Sequence, residues 1–135
     1  MTTILVVDDS RSARMIFVRC LKIAGYAEAE FLEAADGREA IERVRDRGDL
    51  ELAMIDLNMP TMDGLALITA LRSMKATKGL AIIVASSLIN DATRRRLEEV
   101  GVDAVIEKPI GPAALVAALE RMGRRRESGG WSSMG

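Results

Sequence analysis

The chain has 135 residues, 49% of them hydrophobic and 29% charged, with a formal net charge of −1. That fits one globular domain with a sizeable core, and the near-neutral balance gives no footing for a nucleic-acid or membrane-surface partner. No apolar stretch reaches the length of a bilayer span, the start lacks a signal-type core, and the single Cys20 excludes an internal disulfide, so a cytoplasmic setting is expected.

In chain order, Ile4-Leu5-Val6-Val7 is a short apolar run ending on the acid pair Asp8-Asp9. From Ser10, the residues Ala13, Ile16, Phe17, Cys20, Leu21 and Ala24 recur at helical spacing and stop at Gly25. Cys20 belongs to that stripe, which makes it a small core residue. Tyr26 to Ala34 reads as a strand whose Ala/Glu alternation places it at a sheet edge. A helix is expected over 38–47, with Ala40, Ile41 and Val44 inward and Gly48 stopping it. Leu52-Ala53-Met54-Ile55 leads into Asp56, and a helix after Gly64 buries Leu67, Ile68 and Leu71. Ala81-Ile82-Ile83-Val84-Ala85 leads into Ser86. A helix over 91–100, capped by Asp91, has a thin apolar stripe of Leu97 and Val100, so it should be weakly anchored. Ala104-Val105-Ile106-Glu107 leads into Lys108. The last helix starts at Pro112, buries Leu115, Val116, Leu119 and Met122, and ends at Gly123. Residues 1–123 therefore form the domain, and 124–135 a flexible tail with Trp131 as a candidate anchor.

Short apolar runs alternating with helical patterns read as parallel strands buried on both faces. In an open α/β sheet the carboxyl ends of the strands share one edge, where ligands bind. Asp8, Asp9, Asp56, Ser86 and Lys108 each stand at such an end. Singly, Asp8-Asp9 suits a helix cap plus a turn acid, and Asp56 a turn residue before Asn58-Met59-Pro60. Together, their carboxylates repel by around 4 kcal/mol for two charges about 4 Å apart at an effective dielectric near 20. Oxygen ligands without His or Cys favour Mg²⁺ as the ion that relieves this. Pro109 and Gly111 fix an unusual turn after Lys108, and a cis Lys108–Pro109 bond is one way to build it. An ammonium beside three carboxylates and a divalent cation makes a phosphoryl site. Asp8, Asp9 and a phosphorylated Asp56 carry about −4, which Mg²⁺ and Lys108 reduce to about −1. Asp56 is the natural nucleophile.

The set Asp8-Asp9, Asp56, Asn58-Met59-Pro60-Thr61-Met62-Asp63-Gly64, Ser86 and Lys108-Pro109 resembles the receiver domain of two-component response regulators, of the stand-alone CheY-like kind. The resemblance runs from about residue 3 to residue 122. It implies a doubly wound α/β fold of five parallel strands in order 2-1-3-4-5 with helices on both faces. It implies that Asp56 is the phosphoacceptor, and that Asp9, Asp56 and the backbone carbonyl of Asn58 ligate Mg²⁺ with Asp8 acting through water. Lys108 would pair with a phosphate oxygen. Ser86, ahead of its neighbour Ser87, would shift its hydroxyl onto another, and Gly64 would permit the turn after Asp56. The implied donor is a phosphohistidine on a sensor histidine kinase or phosphotransfer protein, docking near Arg11, Ser12 and Met15. The implied output is a downstream protein that reads the face of the fourth helix, fifth strand and fifth helix. Such a domain is a signalling phosphoacceptor, not an enzyme with an external substrate.

Val105 stands where the family often has Tyr or Phe, so the signal should travel through backbone and helix displacement over 86–97 rather than an aromatic swing. Leu88, two residues beyond Ser86, can lean over the phosphate and slow its hydrolysis. Arg94-Arg95-Arg96 reads as a solvated helix face ahead of a partner patch, and Met15, Met59 and Met62 read as packing residues. A haloacid-dehalogenase-type phosphatase is the enzymatic rival. It needs an Asp two residues after its nucleophile, and Ser10, Arg11 and Asn58 occupy those places. Two further alternatives are a receiver cut from a longer regulator and an interaction module that is never phosphorylated.

Overall fold

A computed structural model of the chain describes residues 2–59 and 63–127. Ten regular elements alternate in sequence: β1 (Thr3–Val7), α1 (Arg11–Leu21), β2 (Glu30–Ala34), α2 (Gly37–Val44), β3 (Leu50–Asp56), α3 (Gly64–Ser73), β4 (Ala81–Ser86), α4 (Asp91–Val100), β5 (Ala104–Glu107) and α5 (Pro112–Glu127). The strands form one sheet in the order β2-β1-β3-β4-β5, and every pairing is parallel. This is the doubly wound α/β fold that the strand and helix pattern implies.

Alternate side chains on each strand divide the core into two layers. Leu5, Val7, Ala53, Ile55, Ile82 and Val84 face α2, α3 and α4, packing on Ala40, Val44, Leu67, Ile68, Leu71 and Leu97. Ile4, Val6, Met54, Ile83 and Ala85 face α1 and α5, packing on Phe17, Cys20, Leu21, Leu115 and Met122. Burying each of the large side chains stabilises the fold by about 1.5–3 kcal/mol. Because β1, β3 and β4 have neighbours above and below, their sequences run apolar without alternation. The edge strand β2 keeps Glu30 and Glu33 in solvent.

Several boundaries differ from expectation. The first helix closes at Leu21, and Lys22–Tyr26 make one wider π-type turn in which Gly25 takes φ +124°, a conformation that suits glycine. Ile16, expected in the inward stripe, and Met15, expected to be a packing residue, are exposed on the outer side of α1. The second strand begins at Glu30, four residues after Tyr26, and the second helix ends at Val44, before Arg45–Gly48. Asn90, not Asp91, caps α4, its side chain accepting from the Thr93 N–H at 2.8 Å. Helix α5 passes through Gly123 to Glu127, so residues 124–127 of the expected tail are helical. A mid-helix glycine costs about 1 kcal/mol, and the three arginines that follow are good helix formers. Residues 128–135, with Trp131, and residues 60–62, with Met62, lie outside the described residues.

Candidate functional site

Strand ends bring the charged groups together. Asp8 follows β1, Asp56 ends β3, Ser86 ends β4 and Lys108 follows β5. One carboxylate oxygen from each of Asp8, Asp9 and Asp56 lies within 4.8 Å of the others. The Lys108 ammonium reaches both buried acids, 2.9 Å from Asp8 Oδ2 and 3.3 Å from Asp56 Oδ1, and stands 5.7 Å from the Phe17 ring centroid. The Lys108–Pro109 peptide is cis. The Lys108 N–H donates to the Ser86 carbonyl at 2.8 Å, tying the two strand ends.

Asp8 is held from both sides. Its Oδ1 accepts the Ser10 N–H at 2.9 Å, and its own carbonyl accepts from Arg14 Nη1 at 2.7 Å. Ser10 in turn caps α1, accepting from the Ala13 N–H, so the start of that helix and the pocket are built from one turn. Asp9 remains exposed at the mouth.

After Asp56 the chain must double back sharply into α3. Gly64 donates its N–H to the Leu57 carbonyl at 2.9 Å. A Cβ on Gly64 would stand 2.5 Å from the Asp56 carbonyl oxygen and 2.7 Å from Leu57 Cα, so close backbone approach demands glycine here. Asp63 caps α3 through the Ala66 N–H at 2.9 Å.

Burial pushes the Asp56 carboxyl above its ordinary range, and the Asp8 charge pushes the same way. Lys108 and the Asn58 N–H pull it back only in part. For Lys108, burial works against the ammonium, but the hydrogen bond to Asp8 and the charges of Asp56 and Asp8 outweigh it, raising its pKa. The arrangement thus carries more negative charge than one ammonium neutralises. Three clustered carboxylate oxygens, with no histidine anywhere in the chain, fit a hard divalent cation.

The remaining predicted site residues are less engaged. The Ser86 hydroxyl is buried and turned into its own loop, donating to the Leu88 carbonyl at 3.2 Å and accepting the Leu88 N–H at 3.3 Å. Ser87 and Asn58 are exposed, and Leu88 is 79% exposed. Val105 is half-buried against the α2–α4 layer, as is Met59. Arg14 and Phe17 also belong to the pocket's surroundings. Both sit on α1 within two turns of the acid pair, yet only the packed fold shows which of its faces meets Asp8 and Lys108.

A family model for the response regulator receiver domain matches residues 4–120. The transcriptional regulatory protein PrrA of Mycobacterium tuberculosis is 33% identical over 130 residues, covering 96% of this chain and 53% of that protein. Chemotaxis protein CheY1 of Helicobacter pylori is 36% identical over 117 residues, covering 87% of this chain and 93% of that one. The chain thus spans about half the length of PrrA and nearly all of CheY1. Among solved structures, Vibrio cholerae chemotaxis protein CheY4 superposes with a TM-score of 0.79 at 30% identity, over 90% of this chain and 98% of the other. Five parallel strands in this order, an acid pocket crossed by one ammonium and a family match across nearly the whole chain agree: the protein belongs to the receiver domains of response regulators.

Proposed function

We propose that the chain is a phosphoacceptor in a two-component system or phosphorelay, with Asp56 taking a phosphoryl group from a phosphohistidine. The observation that carries this is the Lys108 ammonium bridging Asp8 and Asp56 beside the three-carboxylate cluster. An Asp56 carboxylate oxygen attacks the phosphorus of a phosphohistidine whose other ring nitrogen carries a proton; the P–N bond breaks as the P–O bond forms, and the ring leaves as neutral imidazole. The pocket's own work is positioning and charge neutralisation. Lys108, held protonated by its acid neighbours, neutralises an equatorial oxygen. Asp9, Asp56 and the Asn58 carbonyl would hold Mg²⁺, with Asp8 acting through water, and the ion supplies the remaining positive charge for the transferring oxygens. Water then hydrolyses the acyl phosphate, so the protein turns over no external substrate.

Phosphate on Asp56 offers the Ser86 hydroxyl a stronger acceptor than the Leu88 carbonyl. Leaving that loop bond releases the segment that leads into α4. A downstream protein then reads the face of α4, β5 and α5, and a cytoplasmic setting fits such a relay. Coverage of only half of PrrA favours a second reading as well, in which this receiver is one part of a longer regulator.

The test is intact mass after incubation with acetyl phosphate. Wild type with Mg²⁺ gains one phosphoryl group. Asp56→Asn, or wild type in EDTA, gains none. Labelling of Asp56→Asn to the wild-type level would overturn the assignment.

A further inference from the structure

Among the three clustered acids, Asp9 is the one whose side chain nothing holds. Asp8 is buried and bonded to Lys108 and to the Ser10 N–H, and Asp56 is buried and paired with Lys108. Asp9 is exposed, and its carboxylate makes no hydrogen bond or ion pair among the described residues. One oxygen of each acid lies within 4.8 Å of the others, and like charge drives an exposed side chain out towards water. The backbone from which Asp9 springs must therefore aim its carboxylate at the pocket.

That backbone is clamped. The Asp8 carbonyl oxygen and the Asp9 N–H belong to one rigid peptide plane. Arg14 Nη1 donates to that oxygen at 2.7 Å, while Arg14 Nε donates to Glu33 Oε1 at 3.0 Å. The Asp8 N–H donates to the Ala34 carbonyl at 3.2 Å. Glu33 and Ala34 are neighbours on β2, so the edge strand holds Asp8 directly at its N–H and through the guanidinium at its carbonyl. Arg14 is itself tied to the same turn, its N–H donating to the Ser10 carbonyl at 3.0 Å. A planar fork with donors at fixed angles bridges two acceptors in one orientation, which an ammonium on a flexible stem does not.

The charge of Arg14 and its bonds act in opposite directions. A cation beside a Mg²⁺ site repels the ion, so a role through charge alone means that removing Arg14 tightens binding. A role through the peptide plane means that removing it frees Asp9 and weakens binding. The two roles differ in sign.

We propose that Arg14, oriented by Glu33, is the positioning residue for Asp9, fixing the peptide plane that aims the Asp9 carboxylate into the acid pocket. The proposal rests on the reading of Asp8, Asp9 and Asp56 as a Mg²⁺ site. It adds a residue outside the cluster on which the affinity for the ion depends. It also gives the Arg14–Glu33 pair, which as a half-exposed ion pair contributes little to stability, a part in metal binding.

The experiment titrates Mg²⁺ calorimetrically into the full chain at fixed ionic strength, for wild type, Arg14→Met and Arg14→Lys. Each is measured well below its unfolding temperature, so a loss of stability alone leaves the constant unmoved. The Kd rises about tenfold in Arg14→Met, as loss of a residue that orients a ligand does. It rises several-fold in Arg14→Lys, which keeps the charge but not both bonds. Backbone NMR relaxation of the metal-free proteins supplies a second reading. The order parameter of the Asp9 amide falls in both variants from a rigid value of about 0.85 towards about 0.6, while that of Ile55 in β3 stays. A Kd for Arg14→Met equal to or below that of wild type overturns the proposal, as does an unchanged Asp9 order parameter. If Arg14→Met does not fold, Arg14→Lys decides by the same two readings. Wild type that binds no Mg²⁺ overturns the metal reading, and the Asp9 order parameter then still tests whether Arg14 fixes the plane.

Discussion

Gly64 and Asp56 share a few ångströms of backbone, and each constrains the other. A Cβ at Gly64 would collide with the Asp56 carbonyl and Leu57 Cα, both main-chain atoms that cannot swing aside. Gly64→Ala should therefore destabilise the protein by roughly 1–3 kcal/mol, as overpacking against atoms that cannot move does, a loss that urea unfolding measures. It should also slow acetyl phosphate labelling, because the peptide that must move carries the proposed acceptor. The Asp56 carboxyl has the opposite character: its burial in ionised form is costly to the fold. Burial and Asp8 raise its folded pKa above the unfolded value, so the folded state binds the proton more tightly. Ionised Asp56 then subtracts stability at every pH above its folded pKa, and the deficit disappears as pH falls below the ordinary carboxylate range. Metal-free Asp56→Asn should melt higher than wild type at pH 7, with a gain that shrinks as pH is lowered. Equal melting temperatures at pH 7 would show that Lys108 already offsets the burial. Leu88, exposed beside the Ser86 loop, should shorten the phosphorylated lifetime when changed to Glu, a difference that timed intact-mass measurements after donor removal would read.

Helix α4 has the least hold on the core of the five helices. Only Leu97 is buried, so its amides should exchange faster than those of α3, which buries Leu67, Ile68 and Leu71. Its far end is tied elsewhere. The Arg72 guanidinium on α3 donates to the carbonyls of Leu80 at 2.6 Å and Gly101 at 2.7 Å and pairs with Asp103 at 3.4 Å. The Asp103 carboxylate in turn accepts the Ile82 N–H at 2.8 Å. Arg72→Met leaves buried Asp103 without that cation and should cost about 2–4 kcal/mol, read by thermal or urea unfolding. A cost under half a unit would mean that water replaces the guanidinium. This network was not legible beforehand, because its members lie 29 and 31 residues apart and meet only once β4 and β5 are paired. The strands β1, β3 and β4 were legible, since burial on both faces leaves an unbroken apolar run. Edge strand β2 was blurred by its exposed glutamates, and its start was misplaced by four residues. Asn90 and Asp91 are near-equal caps, so composition alone does not choose between them. The acids and Lys108 could be read as a group because each follows an apolar run. The direction of the Ser86 hydroxyl could not, since it is set by a loop bond to Leu88.

At the scale of the molecule, parallel winding is what makes a site from distant residues. Every strand delivers its carboxyl end to one edge, so Asp8 and Lys108, one hundred positions apart, form an ion pair. The same convergence stores repulsion that a cation would relieve. Mg²⁺ binding only the folded state should raise the stability by about 2.7 kcal/mol at a hundredfold excess over its Kd. Asp9→Asn, a change at an exposed position, should leave metal-free stability within about 0.5 kcal/mol yet abolish most of that gain. A Tm that does not respond to Mg²⁺ would show that the acid cluster is not a metal site.

Hydride trapping tests the central claim most directly. Borohydride reduces an acyl phosphate to the alcohol, converting a phosphorylated aspartate into homoserine, which peptide mass spectrometry locates. After incubation with Mg²⁺ and a phosphoryl donor, homoserine is expected at position 56 and nowhere else. Homoserine at position 8 or 9, or none at any position in protein that carries the added mass, would contradict the account.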